Sequence, residues 1–164
     1  AMVARAVEKS GLHARVALAI ARTTHATERG LLLAFMAATA LTSMLVSNTA
    51  TALIMMPVAL ALVAALEPAL GTARGQALAR ALVLGVAWAA SIGGLGTLVG
   101  SPTNALAADI MNRTLGTDID FLSWLGFGLP VVVAAIPLAA LILVRTQQLS
   151  RAAIDGEEIG RANV

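Results

Sequence analysis

Two short polar runs, Ser47-Asn48-Thr49 and Ser101-Pro102-Thr103-Asn104, hold the side chains of this chain best suited to binding a small solute. Hydroxyl and amide oxygens are hard ligands for a cation such as sodium, and the Asn48 amide with the Thr49 hydroxyl can donate hydrogen bonds to a carboxylate. Other chemistry is poorly provided for. No nucleophile is accompanied by a base and an orienting group, so the sequence reads as that of a non-enzyme. There is no cysteine, and His13 and His25 stand apart without a carboxylate cluster, which suits an interface better than a metal centre. Gly94-Leu95-Gly96 followed by Gly100 does not have the spacing of a nucleotide loop. Asp109 lies near a helix end and reads as a solvated surface carboxylate rather than a proton relay.

What must position the two runs is a set of long apolar segments. Residues 31–66, 81–108 and 121–144 contain no charge, giving stretches of 36, 28 and 24 residues. Crossing a hydrocarbon core of ~30 Å takes roughly 20 helical residues. With 59% hydrophobic and 12% charged residues, against about 25% charged in soluble domains, the chain reads as an all-α integral membrane protein in a lipid bilayer. Its pI of 10.4 comes with a net charge of only +2 and dispersed basic residues, so nucleic acid is not an expected partner.

Both polar runs fall inside apolar stretches, where a continuous helix has no use for them. As one helix, residues 31–66 would be ~54 Å long, too much for a tilted span and too little for two spans with a turn. A break at Ser47-Asn48-Thr49 makes a re-entrant hairpin with two arms, its tip at mid-depth. In the next stretch, Pro102 lacks an N–H and disfavours helix at Ser101, which predicts a helix to about Leu98, an unwound Gly100-Ser101-Pro102 and a short helix to about Asn112. A final span follows, with Trp124 as an interfacial anchor and a kink at Pro130 or Pro137.

The expected organisation is an amphipathic interfacial arm helix over 1–28, half of a membrane transport domain over 29–144, and a cytoplasmic linker or tail over 145–164. The half domain comprises the hairpin 31–66, a broken helix 77–112 and a helix 121–144. This topology puts ten of the 11 basic residues on one face and leaves Arg113 opposite with Asp109, Asp118 and Asp120. The positive-inside rule then opens the hairpin to the cytoplasm and sets the protein in the cell's inner membrane as a multi-pass protein.

Irregular backbone at membrane depth is tolerated where it lines a cavity, and broken helix ends offer carbonyls to cations and amides to anions. Plainer readings exist for each motif: Ser-Asn-Thr is also an ordinary helix cap, and Gly96-xxx-Gly100 an ordinary close-packing face. Two breaks of like composition at like depth favour use as a solute site. A channel element and a non-transporting membrane assembly subunit are the alternatives.

The run Leu41-Thr-Ser-Met-Leu-Val-Ser-Asn-Thr-Ala-Thr-Ala52, followed by Ser91-Ile-Gly-Gly-Leu-Gly-Thr-Leu-Val-Gly-Ser-Pro-Thr-Asn-Ala105, resembles the N-terminal half of the divalent anion/sodium symporter family. The resemblance implies co-transported sodium held by Ser43, Ser47, Asn48 and the Gly100 backbone, and a dicarboxylate, citrate or sulfate contacted by Asn48, Thr49 and Pro102. A second proline usual in the family is Thr103 here. It further implies a C-terminal inverted repeat outside this fragment, a homodimer, and an elevator-type alternating-access mechanism.

Overall fold

The structure, a computed structural model, describes residues 27–151. They form five helices: α1 (Glu28–Ser43), α2 (Asn48–Leu70), α3 (Thr72–Gly94), α4 (Pro102–Leu115) and α5 (Phe121–Thr146).

The hairpin begins with a cap. Thr27 Oγ1 accepts the Gly30 N–H at 3.0 Å, satisfying one of the orphan donors of the first turn of α1. Along α1 the buried positions Leu31, Leu32, Phe35, Met36, Thr39, Ala40 and Ser43 recur at helical spacing, so one continuous face turns inward. Thr39 satisfies its hydroxyl locally by donating to Phe35 O at 2.7 Å. The chain then leaves the helix over 44–47 and resumes as α2.

A single residue, Gly71 at φ +74°, reverses the chain between α2 and α3, in a region that L side chains avoid. The central helix is α3. Its inner face reads Gly75, Leu78, Ala81, Leu82, Gly85, Val86, Ala89, Ala90, Gly93, Gly94, and this run of small residues lets neighbouring helices approach closely. It packs on α1 and α2 and, less extensively, on α5. The core lies between these four helices, around Leu31, Phe35, Met36, Leu62, Leu82 and Ile136.

Three helices, α2, α3 and α5, are long and apolar enough to cross a membrane, whereas α1 has 16 residues. Their outer faces expose large apolar side chains such as Leu53, Leu60, Leu84, Val133 and Leu138, as a lipid solvent permits. The all-helical membrane class expected from composition is what the fold presents.

Element boundaries moved in physically interpretable ways. The first break lies at 44–47, and Asn48 already belongs to α2, because Ser47 caps that helix by accepting the Ala50 N–H at 3.4 Å. The second break runs over 95–101, so α3 ends at Gly94 rather than near Leu98. Pro102 is the first residue of α4 instead of part of the unwound segment; at that position a helix has no use for the missing N–H. Both Pro130 and Pro137 sit inside one uninterrupted helix.

The segment after α5 is not wholly a solvated tail. Gln148 takes a left-handed conformation (φ +53°) and Leu149 N–H returns to Val144 O at 3.1 Å, a turn that closes the helix and drives Leu149 back into the core. Arg29 Nε donates to Leu149 O at 2.8 Å, and Ser150 N–H donates to Glu28 Oε2 at 2.6 Å. Glu28, itself buried, also pairs with Arg74 at 2.7 Å. The starts of α1 and α3 and the end of α5 thus meet at one pole. The expected arm helix, apart from its last two residues, and the distal tail lie outside the described residues.

Candidate functional site

The two breaks meet at the other end of α1 and α3. A Cβ added to Gly93 would fall 2.4 Å from Ala40 O, so the two backbones touch just before both helices stop. Thr97, buried, donates its hydroxyl to Met44 O and accepts the Gly100 N–H at 3.0 Å, which ties the second break to the first. Asn104, also buried, gives its amide hydrogens to Gly94 O at 2.7 Å and Thr97 O at 2.8 Å.

From the far side, α5 closes on the same loop. Trp124 Nε1 donates to Leu95 O at 3.0 Å, and a Cβ on Gly128 would lie 2.8 Å from that oxygen. Trp124 is therefore a buried brace on the break rather than an interfacial anchor: its indole N–H, which needs a partner once desolvated, finds a carbonyl left orphaned by the end of α3.

At the junction sits a cluster of oxygens. Ser43, fully buried at the last position of α1, donates its hydroxyl to Ala90 O at 2.6 Å. One end of the Asn48 amide lies 2.9 Å from Ser43 Oγ, 3.2 Å from Ala90 O and 3.3 Å from Gly100 O. The only Ser43 hydroxyl hydrogen is engaged by Ala90 O. With its nitrogen inward, Asn48 brings two hydrogens within reach of three acceptors; with its oxygen inward, four oxygens face one another, an arrangement that a cation satisfies. Gly94 makes room for this amide, since a Cβ there would fall 2.0 Å from it.

The donor set fits a hard monovalent cation. All the oxygens are neutral, and they gather where α1 and α3 end, at the negative poles of two helices. Among the described residues no three His, Cys, Asp or Glu side chains converge, as a divalent or transition metal would favour.

Next to the cluster, Asn48 and Thr49 begin one wall of a cleft of about 640 Å³ between α2 and α3, otherwise largely apolar, with Met56, Leu60 and Ser91 on its sides. Among the described residues, no Arg or Lys lines it. Thr51 Oγ1, one turn into α2, is buried without a hydrogen-bond partner among the described residues.

Of the residues singled out from the sequence, Ser43, Asn48 and Gly100 come together, and Thr49 borders them at the cleft. Ser47 is exposed and caps α2; Pro102 is exposed at the start of α4 and is not on the cleft wall. Sequence reasoning passed over Ala90, whose contribution is a backbone oxygen, and Thr97. Asn104 did carry a signal, as the last member of the second polar run.

Paired helix breaks that converge on neutral oxygens, within helices able to cross a bilayer, define a membrane protein with the architecture of a secondary transporter. The chain belongs to a transporter family, not an enzyme family: the family model described as citrate transporter matches residues 1–158. It is 39% identical over 136 residues to the sodium-dependent dicarboxylate transporter SdcS of Staphylococcus saprophyticus, covering 80% of this chain and 26% of that protein. It is 36% identical over 146 residues to SdcS of Staphylococcus aureus strain USA300, covering 87% and 28%. The chain thus spans about a quarter of the length of these curated relatives.

Proposed function

We propose that this chain supplies one half of the membrane core of a sodium-coupled symporter for a divalent anion such as a dicarboxylate, citrate or sulfate. The observation that carries the reading is the oxygen cluster of Ser43, Asn48, Ala90 and Gly100 where the two breaks meet. Sodium is liganded there by Ser43, the Asn48 oxygen and the Gly100 carbonyl, with Ser47 recruited from its capping position. The relatives' names, which include sodium dependence and dicarboxylates, support the same assignment.

The physical logic is one of charge. Among the described residues, the cleft that Asn48 and Thr49 border has no basic side chain, so a dianion is balanced by the N-terminal poles of α2 and α4 and by sodium bound beside them. With its oxygen on the cation, Asn48 turns its NH₂ outward for a carboxylate, and Thr49 adds a hydroxyl. In this reading the anion extends beyond the cleft wall to the start of α4, where Pro102 stands exposed. Because each ion improves the site for the other, binding of the two is reciprocal.

A second, inverted half completes the anion site, and the hairpin, the broken helix of α3 and α4, and α5 move together in an elevator-type exchange within a homodimer. The hairpin opens to the cytoplasm of the inner membrane. The test is uptake of labelled succinate, citrate and sulfate into vesicles holding the protein of which this chain is a part. Uptake should require an inward sodium gradient, and the 164-residue chain alone should transport none of the three. Transport by the chain alone would contradict the two-half arrangement.

A further inference from the structure

Asn104 is a buried amide in the first turn of α4 that belongs to neither the cation cluster nor the cleft. It reaches back across the break and gives both amide hydrogens to main-chain oxygens, Gly94 O and Thr97 O. Two carbonyls flanking and within the break are each engaged by that amide. The oxygen of Gly100, from the same break, stands in the cluster with Ser43 and Asn48.

A closed circuit fixes where that oxygen stands. Thr97 accepts Asn104 at its carbonyl, accepts the Gly100 N–H at its hydroxyl, and donates the hydroxyl hydrogen to Met44 O, just past the end of α1. Gly100 is held against Ser43 so tightly that a Cβ on it would fall 2.9 Å from Ser43 O. Ser43 and Asn48 are thus carried by α1 and α2, Ala90 O by α3 and Gly100 O by the 95–101 loop, and Thr97 with Asn104 ties that loop to the end of α1. The size of a cage of neutral oxygens and its rigidity decide which cation it suits.

We propose that Asn104, acting through Thr97, is a positioning residue that sets the width of the oxygen cage and so its preference for sodium over the smaller lithium ion. The proposal rests on the reading of the cluster as a cation site. Asn104 touches neither ion; it acts through the carbonyls that it holds.

The experiment measures anion uptake by the whole protein against sodium and, separately, against lithium, for the unmutated protein, Asn104→Ala, Thr97→Val and Thr97→Ser. Asn104→Ala should raise the half-activating sodium concentration about tenfold, the scale of one lost hydrogen bond, and should reduce the ratio of the lithium to the sodium requirement. Thr97→Val should do the same, while Thr97→Ser, which keeps the hydroxyl, should retain most of the preference. Variants that lose only maximal rate or protein level, with both half-activating concentrations unchanged, would overturn the positioning role. If Asn104→Ala does not accumulate, the Thr97 pair decides, and identical ion ratios for valine and serine would overturn it. Sodium-independent uptake by the unmutated protein would overturn the cation site and this inference together, so the two failures are distinguishable.

Discussion

Gly93 of α3 lies so close to Ala40 of α1 that a Cβ on it would meet Ala40 O at 2.4 Å and Ala40 Cα at 2.5 Å. The obstructing atoms are backbone, so an added methyl must push the helices apart a few residues from Ser43 and Gly94. Gly93→Ala should therefore destabilise the protein by about 1–3 kcal/mol, the usual scale of overpacking. Gly126→Ala is the control: inside α5, with nothing within 4 Å of its added Cβ, it should gain about 0.5–1 kcal/mol. Melting temperatures in detergent compare them, and equal shifts would refute the close contact.

At the opposite pole, Glu28 is buried while Arg74 is about half exposed (3% and 48% side-chain exposure). Among the described residues, removing Arg74 leaves the buried carboxylate with the Ser150 N–H and its helix N-terminus, whereas Glu28→Gln leaves an arginine that water can solvate. Arg74→Ala should cost about 1–3 kcal/mol and Glu28→Gln less, the figure being discounted for Arg74's exposure. The reverse order in thermal melts would contradict the assignment.

The topology is open to direct labelling. Thr72 begins α3 near the Glu28–Arg74 pole, and Thr117 follows α4 beyond the breaks. Single cysteines at these positions should react with an impermeant reagent from opposite faces of the membrane, Thr72→Cys from the cytoplasm. Labelling from one face would dismantle the re-entrant hairpin.

Asp120 caps α5, accepting from the Ser123 hydroxyl at 2.6 Å and the Ser123 N–H at 2.7 Å. The side-chain bond chiefly, and the backbone bond next, hold its carboxyl below the ordinary value of 3.8. A depressed carboxyl contributes stability that is complete above its unfolded value and is lost as pH falls through the folded one. Protection of the first turn of α5 in hydrogen exchange should thus be flat from neutrality to mildly acid pH and fall only below about 3.8. A fall between pH 5 and 7 would require another group.

The membrane class and the paired breaks were legible in the sequence because a bilayer penalises polar residues so heavily that the runs at 47–49 and 101–104 stand out against their surroundings; Ser43 and Gly100 as ligands came only through the resemblance to the symporter family. The close approach of Gly93 to Ala40 near the end of α3 was not legible, being a contact between segments far apart in sequence. Trp124 was misread because an aromatic near a helix end suits an interface, whereas here the orphan Leu95 carbonyl claims its N–H. Ala90 is invisible in principle, as any residue would supply its oxygen. The docking of Leu149 against Arg29 depends on a left-handed Gln148, which carries no strong sequence signal.

The cation cluster itself is tested most directly by titrating anion uptake against sodium in the whole protein with Ser43→Ala and Thr49→Ala. Each lost hydrogen bond to a charged group is worth roughly 1.5–3 kcal/mol, about ten- to a hundredfold in affinity. Ser43→Ala should raise the sodium requirement on that scale and weaken anion affinity at fixed sodium, with excess sodium restoring it. Thr49→Ala should weaken anion affinity in a way that saturating sodium does not repair. Sodium-independent uptake by the unmutated protein, or a Ser43→Ala variant whose sodium requirement is unchanged, would contradict the cation site at the junction of the two breaks.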